Sequence, residues 1–368
     1  MKNLNKYIAF VLLISVVAIT SCSSEPLESK AAKIDIPKIS NQSEALLNLF
    51  TNSGDYINGV ASPYLISAED VNDYKDNYLL LDTRFHEDYV NGHIDGAINV
   101  DREMLIDFLK SINIYQYHKV VIIDNTGQAA AYITSMLRAI GYGSTYAMKY
   151  GMSAWNSKVT NQWNKNIGNK YDNYLTSEPT KKNKKGAYPA INTKGRTISE
   201  ILELRAEKEI EHNFAITIDK LMENYKDYYV VNYVSESRYN IKHLKGSTWY
   251  QPKKSMNINS DLSTLPTDKK IVVYCYIGHQ GSSLVAYLRL LGYDAYSLRY
   301  GVNSFMYNYS VKNKWPTYNE KNVVMNYELV LGEVPSKEVK AKANKIINPD
   351  LNFKHHEVVL PDPSEVCD

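Results

Sequence analysis

The chain has 368 residues, of which 44% are hydrophobic and 22% are charged, so it is long enough for two globular domains and too apolar for a disordered chain. Its formal net charge is +2 at pH 7. Loss of an N-terminal segment carrying two lysines and no acids would leave 40 basic and 40 acidic residues. This balance does not indicate a nucleic-acid-binding surface, so we expect no nucleic-acid partner.

The first 21 residues have the pattern of an export signal. Lys2 and Lys6 precede an apolar run over residues 7–19, which is too short to span a bilayer as a mature helix. The run ends in the sequence Ile-Thr-Ser-Cys at Cys22, which resembles a bacterial lipobox. The resemblance implies cleavage before Cys22, a diacylglycerol on its sulfur and a membrane-anchored lipoprotein of the cell envelope, facing the periplasm or the exterior. The alternative is an ordinary signal peptide in which Cys22 is incidental.

Cysteine is scarce in this chain. Cys22, Cys275 and Cys367 are the three cysteines, too few for a disulfide framework or a cysteine-based metal cluster. Cys367 is expected to be a free thiol in the tail, and a disulfide with Cys275 is the alternative. His355 and His356 also lie in the tail without a partner cluster. We therefore expect no metal site and no cofactor.

The chain contains an internal repeat. The segment 78–97 recurs as 228–247, and the offset of 150 residues is the same for His93 with His243 and for Gly96 with Gly246. The segment 127–142 recurs as 278–293, and 149–151 recurs as 299–301. A tandem duplication of a unit of ordinary domain size is indicated. His93 and His243 precede Ile or Leu at matching positions, which favours a structural turn role over a ligand role.

The repeat predicts a domain organisation and a fold class. We assign residues 1–21 to the signal peptide, 22–42 to a tether, 43–180 to the first domain, 181–197 to a Lys-rich linker, 198–335 to the second domain and 336–368 to a C-terminal tail. Short apolar strands alternate with helical stretches in each domain. This alternation predicts two α/β domains, each a parallel sheet flanked by helices. The functional site is then expected at the carboxyl ends of the strands.

The stretch Val272–Gly292 predicts a buried strand, a cysteine, a tight loop and a helix. Leu284, Leu288 and Leu291 lie on one apolar face, and Gly292 is placed as a helix C-cap. The loop after Cys275 consists of Tyr276, Ile277, Gly278, His279, Gln280 and Gly281. Backbone N–H groups at the start of a helix lower a thiol pKa and hold an anion, so we expect Cys275 to be thiolate-rich near neutral pH. The alternative is a buried, inert structural cysteine.

Two groups of residues carry a family resemblance. The segment from Asp82-x-Arg84 to Tyr89-x-x-Gly92-His93-Ile94-x-Gly96-Ala97 resembles the first signature of rhodanese-homology domains. Cys275-x-x-Gly278 and the turn Arg299-Tyr300-Gly301 resemble the active-site region of the same family. The resemblance covers roughly 43–165 and 198–318. It implies two tandem rhodanese-like domains with a catalytic Cys275 in the second. The implied reaction moves sulfane sulfur from thiosulfate or a persulfide, through a Cys275 persulfide, to a thiol or cyanide.

The chain departs from the family pattern at several positions. Asp124 stands where the first repeat would carry the cysteine, so this degenerate site is expected to be catalytically silent. Asn232 and Val234 replace the Asp and Arg of the first signature in the second repeat, which predicts local repacking. The loop 276–281 is predicted to bind substrate but has no Lys or Arg. His279 either partly replaces the missing cation or merely fits the loop, so a neutral or thiol-bound persulfide donor is as plausible as thiosulfate.

Two other functions compete with sulfur transfer. The first is a catalytically weak lipoprotein that uses the fold as a binding or sensing module. The second is a phosphatase, because related folds use a Cys-x5-Arg loop. Six residues after Cys275 stands Gly281, so phosphate would lack its bidentate clamp. The expected partners are therefore a small sulfur-containing substrate, a thiol acceptor and the membrane that holds the lipid anchor.

Overall fold

The computed structural model describes residues 39–53 and 57–333. The predicted signal peptide, most of the tether, the tail 336–368 and the residues Cys22 and Cys367 lie outside this part of the chain. No helix within the described residues is both long and apolar enough to cross a membrane.

The first repeat is built on a five-stranded parallel sheet. Its strands are β1 (Leu65–Ile66), β2 (Tyr78–Asp82), β3 (Ile98–Asn99), β4 (Lys119–Ile123) and β5 (Thr145–Met148), in the order β1-β5-β4-β2-β3. Its helices are α1 (Gln42–Asn52), α2 (Ala68–Tyr74), α3 (His86–Val90), α4 (Leu105–Ser111), α5 (Gln128–Ala139), α6 (Met152–Trp155) and α7 (Gln162–Asn166). Every residue of β2 is buried, as expected for a parallel strand covered on both faces.

The second repeat has the same plan. After β6 (Leu175–Thr176) come α8 (Ile198–Ile210), β7 (Ala215–Ile216), α9 (Ile218–Glu223), β8 (Tyr228–Asn232), α10 (Glu236–Ile241), β9 (His243–Leu244), β10 (Thr248–Trp249), β11 (Lys270–Tyr274), α11 (His279–Leu290), β12 (Ala295–Leu298), α12 (Tyr307–Lys312) and α13 (Glu320–Val323). The sheet order is β10-β8-β11-β12-β7, which is the order of the first sheet under the repeat offset. The prediction of two parallel α/β domains is confirmed.

Local sequence explains where the equivalent helices α5 and α11 begin and how α11 ends. Gly127 precedes α5 and Gly278 precedes α11, each in the left-handed region, at φ of 82° and 87°. Glycine adopts this conformation without steric cost and turns the chain sharply from strand into helix. Helix α11 ends at Leu290, and Gly292, at φ of 93°, closes it as the sequence predicted.

A shared core joins the two repeats. One hydrophobic cluster contains Leu46 and Tyr132 of the first repeat together with Leu284 and Tyr287 of the second. Helices α5 and α11 pack against each other at its centre. Since both repeats bury side chains in the same cluster, neither keeps a complete hydrophobic core by itself.

Each repeat also sends a segment across to the other. Strand β6 pairs antiparallel with β9, so residues that follow the first repeat cover the second. In return, Val330 forms an antiparallel bridge with His93, and the amide of Tyr327 donates to the carbonyl of Trp155 at 3.0 Å. These exchanged segments add backbone hydrogen bonds between the two repeats.

Candidate functional site

Cys275 follows the last residue of β11, at the carboxyl edge of the second sheet. Its Sγ accepts hydrogen bonds from the backbone N–H of Gly278, at 3.2 Å, and of Gly281, at 3.3 Å. Helix α11 begins at His279, so the positive end of the helix lies beside the sulfur. This arrangement suits a thiolate or another anionic sulfur. Cys275 has no exposed surface.

The predicted substrate-binding loop is buried as well. Tyr276, Ile277, Gly278, His279, Gln280 and Gly281 are all buried, and the loop faces the first repeat. A side chain added at Gly278 would collide with Gln128 of the first repeat. The loop therefore lies at the interface between the two repeats, and the first repeat covers it.

His279 is a neutral hydrogen-bond acceptor. Its Nε2 accepts the backbone N–H of Tyr150 at 3.0 Å, and its ring lies parallel to that of Trp163 with centroids 6.2 Å apart. Burial, and then the charge of Lys149, lower the pKa of His279 to about 3. The alternative in which His279 supplies a positive charge to the loop is contradicted. The histidine fits the loop and ties it to the first repeat.

The equivalent loop of the first repeat makes the reciprocal contact. Gln128 occupies the first position of α5, as His279 does in α11, and its Oε1 accepts the backbone N–H of Tyr300 at 2.7 Å. Tyr150 and Tyr300 are themselves equivalent and both adopt positive φ, 61° and 64°. The loop after Cys275 and the equivalent loop after Asp124 therefore each accept a hydrogen bond from a tyrosine of the other repeat, Tyr150 or Tyr300.

Asp124 takes the place of the cysteine in the first repeat. One carboxylate oxygen accepts the backbone N–H of Gly127 at 2.5 Å, and the other accepts that of Ala129 at 3.1 Å. Burial raises the pKa of Asp124, while the nearby charge of Arg102 acts in the opposite direction. The carboxylate therefore occupies the position in its loop that the sulfur of Cys275 occupies in the second repeat, as the equal spacing of three residues to Gly127 and to Gly278 predicted.

A cavity of about 650 Å³ opens at the Asp124 loop. Its lining comes from both repeats and includes Arg102, Asp124, Gln162, Phe214, Arg299 and Tyr300. Cys275 and the loop 276–281 do not line it. This cavity therefore adjoins the loop without the cysteine.

The family model for the Rhodanese-like domain matches residues 67–158 and 217–308, which together are half of the chain. The chain belongs to the rhodanese-like family. Members of this family are typically sulfurtransferases. No curated protein matches the chain.

Several solved structures are similar to this rhodanese-like chain at low identity. A rhodanese-related protein from Thermoplasma volcanium is 22% identical over 28% of this chain and 94% of its own, with a TM-score of 0.23. A thiosulfate sulfurtransferase from Pseudomonas aeruginosa is 14% identical over 76% of this chain and 48% of its own, with a TM-score of 0.27. A 3-mercaptopyruvate sulfotransferase from Escherichia coli is 15% identical over 64% of this chain and 97% of its own, with a TM-score of 0.24. Such distant similarity says nothing about a shared activity.

The first rhodanese signature is structural in both repeats. In the first, Arg84 Nη2 donates to Asp82 Oδ2 at 2.7 Å inside the core. In the second, Asn232 Nδ2 donates to the hydroxyl of Tyr274 at 2.8 Å, and the amide of Val234 donates to Asn232 Oδ1. A neutral amide and a tyrosine hydroxyl replace the buried ion pair, so the predicted local repacking is confirmed.

His93 and His243 are structural residues, as predicted. Each is buried, stacks on the tyrosine four residues earlier with ring centroids 3.8 and 3.7 Å apart, and bonds that residue's carbonyl through Nδ1. Among the residues that the structure describes, no group of three or more His, Cys, Asp or Glu side chains could hold a metal ion.

Three basic residues lie near the two loops, and of these the sequence pointed only to Arg299, as part of the turn 299–301. Lys149 acts electrostatically on His279, beside the cysteine loop, whereas Arg102 and Arg299 line the cavity at Asp124. Lys149 and Arg299 are separated by the repeat offset of 150 and are the first residues of the equivalent turns 149–151 and 299–301. That match was available in the sequence, but only the fold shows that each turn reaches the loop of the other repeat.

Proposed function

We propose that this rhodanese-like chain is a sulfurtransferase in which Cys275 carries the transferred sulfane sulfur. The observation that supports this most directly is the pair of backbone N–H groups, from Gly278 and Gly281, directed at Cys275 Sγ at the start of α11. A terminal persulfide is an anion at neutral pH, and the cradle that stabilises a thiolate would stabilise it too. The first repeat has a carboxylate at this position and takes no covalent part.

The proposed reaction has two displacement steps. The Cys275 thiolate attacks the outer sulfur of a persulfide donor, the donor S–S bond breaks, and the donor thiolate leaves and takes a proton from water. A thiolate acceptor then attacks the terminal sulfur of the Cys275 persulfide. The new S–S bond forms on the acceptor, and the Cys275 thiolate is regenerated. No external oxidant or reductant is needed.

The charges around the loop favour a donor of low charge. The loop 276–281 contains no Lys or Arg, and His279 is neutral. The basic residue whose charge acts on His279 is Lys149, which belongs to the first repeat. A small persulfide of charge −1 or 0 therefore fits better than the dianion thiosulfate. Because Cys275 is buried, reaction requires the interface between repeats to open.

Intact-mass spectrometry tests the assignment. After exposure to cysteine persulfide, whose net charge is −1 at neutral pH, the wild-type chain should gain one sulfur atom that a thiol acceptor then removes. Cys275→Ser should gain none at this site, whereas Cys367→Ser, which removes the other non-lipidated cysteine, should behave as wild type. The apparent pKa of Cys275, measured from its alkylation rate against pH, should lie below the value of about 8.5 for free cysteine.

Two results would overturn the proposal. One is sulfur on Cys367 and none on Cys275. The other is a Cys275 that resists alkylation across the pH range in the folded chain and never gains sulfur.

Lys149→Gln tests whether the charge of Lys149 acts on the donor. It should slow transfer from the dianion thiosulfate more than transfer from the monoanion cysteine persulfide, and equal slowing would argue against a charge role for Lys149.

A second function, binding or sensing of a small molecule, is supported by a separate observation. The open cavity lies at the Asp124 loop, while the cysteine loop is sealed. A protein whose accessible pocket contains no nucleophilic sulfur can bind without turnover. Sulfur transfer and binding can coexist, because the residues that line the cavity do not include Cys275 or its loop 276–281.

We also propose that the chain is lipid-anchored in the cell envelope through Cys22. The support is the sequence Ile-Thr-Ser-Cys at the end of the apolar run. Metabolic labelling with a fatty-acid analogue should mark the wild-type protein and leave Cys22→Ala unlabelled. Equal labelling of the two would show that no lipid is attached at this cysteine.

A further inference from the structure

Two guanidinium groups face the cavity at Asp124 without an anionic partner. Arg102 is half-buried and Arg299 is exposed, and both line the cavity. Among the described residues, neither side chain has a hydrogen-bond or ion-pair partner. The two charges also act on each other, and burial, more than this repulsion, lowers the pKa of Arg102. Two like charges in a partly buried cavity are the arrangement that a bound anion would stabilise.

Asp124 does not satisfy these arginines. Its two carboxylate oxygens accept the backbone N–H groups of Gly127 and Ala129 in the loop, and no ion pair joins it to Arg102. The carboxylate attracts Arg102 through space but leaves the guanidinium N–H donors free. The donors of Arg102 and Arg299 are therefore available to a molecule that enters the cavity.

The lining sets limits on the charge and size of that molecule. Asp101, Glu103 and Glu211 are exposed at the cavity, and their carboxylates would repel an anion of high charge. Phe214 is buried and offers an apolar wall. A volume of about 650 Å³ exceeds what a small inorganic ion needs and lies in the usual range for organic ligands.

We propose that the cavity binds a small organic monocarboxylate, whose carboxylate is held by Arg102 and Arg299 and whose carbon skeleton packs on Phe214. This inference rests on the binding function proposed above and names its ligand class. Arg102 belongs to the first repeat and Arg299 to the second, so the ligand bridges them. The turn of Arg299 leads directly to Val302, whose amide donates to the carbonyl of Cys275 at 2.9 Å. Because a bound ligand would contact Arg102 of the first repeat and Arg299 of the second, occupancy of the cavity would reinforce the closed interface.

Titration calorimetry of the purified full chain at low ionic strength tests this. The probes are pyruvate and phenylacetate as monocarboxylates of two sizes, citrate as a polycarboxylate and sulfate as an inorganic oxyanion. A monocarboxylate should bind with one-to-one stoichiometry and raise the Tm, and citrate should bind more weakly. Arg102→Gln and Arg299→Gln should each weaken binding by about tenfold or more, the usual effect of losing a charged hydrogen-bond donor.

Arg196→Gln is the matched control, because Arg196 is exposed and does not line the cavity. It should bind the monocarboxylate as wild type does, and circular dichroism should show all three variants folded. Monocarboxylate binding that survives both cavity substitutions would overturn the assignment. Binding of sulfate alone would overturn the ligand class and leave the binding function in place. Absence of binding by every probe would overturn both.

Discussion

Replacing His279 tests whether the two repeats are joined as the structure shows. His279→Ala removes the acceptor of the partly buried Tyr150 N–H, and leaving such a donor unsatisfied costs about 1–3 kcal/mol. Removal of a fully buried ring from beside Trp163 adds a cavity penalty of about 2 kcal/mol. We therefore expect the free energy of unfolding to fall by about 3–5 kcal/mol. His279→Gln should lose about 1 kcal/mol or less, because Gln128 shows that a glutamine accepts the equivalent N–H in the other loop.

The same residue predicts a pH dependence of definite sign. The pKa of His279 falls from 6.5 to about 3 on folding, so the unfolded chain binds the proton more tightly. Its contribution to stability is present above pH 6.5 and is lost as the pH falls toward 3. The slope is about 1.4 kcal/mol per pH unit, or about 2 kcal/mol between pH 6.5 and pH 5. His279→Gln should lack this part of the acid destabilisation.

Urea unfolding followed by tryptophan fluorescence at pH 7.5, 6.5 and 5 measures both effects. Comparison of wild type with His279→Gln cancels the contributions of His93 and His243, whose pKa values are also lowered by burial. If the two proteins lose stability in parallel on acidification, His279 is not the buried neutral acceptor described. If His279→Gln loses as much stability as His279→Ala at pH 7.5, the Tyr150 N–H is not the group that the side chain satisfies.

Two further changes test the fold that supports the loops. Asp82→Ala should lower the free energy of unfolding by about 3–5 kcal/mol because it leaves the Arg84 charge buried and unpaired, and adding Arg84→Met should recover part of the loss. If the double variant is as unstable as the single one, the unpaired charge is not the cause. Gly127→Ala should lower the free energy of unfolding by about 1–3 kcal/mol, because the φ of Gly127 is 82° and the new methyl group collides with His279. The Tm should fall by several degrees as a result. Gly143→Ala, with no atom near its added methyl group, is the control and should leave the Tm unchanged.

The sequence was sufficient for the parts of the structure that depend on local periodicity. The strand, cysteine, glycine turn and helix of the second repeat could be predicted because burial on both faces and a 3.6-residue stripe leave clear marks in the sequence. The equivalence of Asp124 and Cys275 followed from counting residues to Gly127 and Gly278. The substitution of Asn232 for Asp82 was visible, but the tyrosine hydroxyl that compensates for it lies on the neighbouring strand β11 and became evident only from the strand pairing.

The state of the two loops could not be predicted, because it depends on how the repeats pack. A histidine in a cysteine loop is compatible with either a cation or an acceptor, and the choice is made by the Tyr150 N–H, 129 residues earlier in the chain. Likewise, Arg102 and Arg299 lie 197 positions apart, and only the packing of the repeats places both at one cavity. Long-range contacts of this kind leave no periodic signal in a single sequence.

The duplication explains why the two loops differ in access as well as in chemistry. Each loop directs two backbone N–H groups at one side chain, at the two carboxylate oxygens of Asp124 or at the sulfur of Cys275. Asp124 fills its loop with a group that cannot carry sulfur, so the adjoining cavity can remain open to water without exposing a thiol. The thiol keeps its chemistry, and the His279 contact with the first repeat shields it until the interface opens. We therefore expect sulfur transfer to be limited by separation of the repeats, and molecules that occupy the Asp124 cavity to slow it by holding the repeats together.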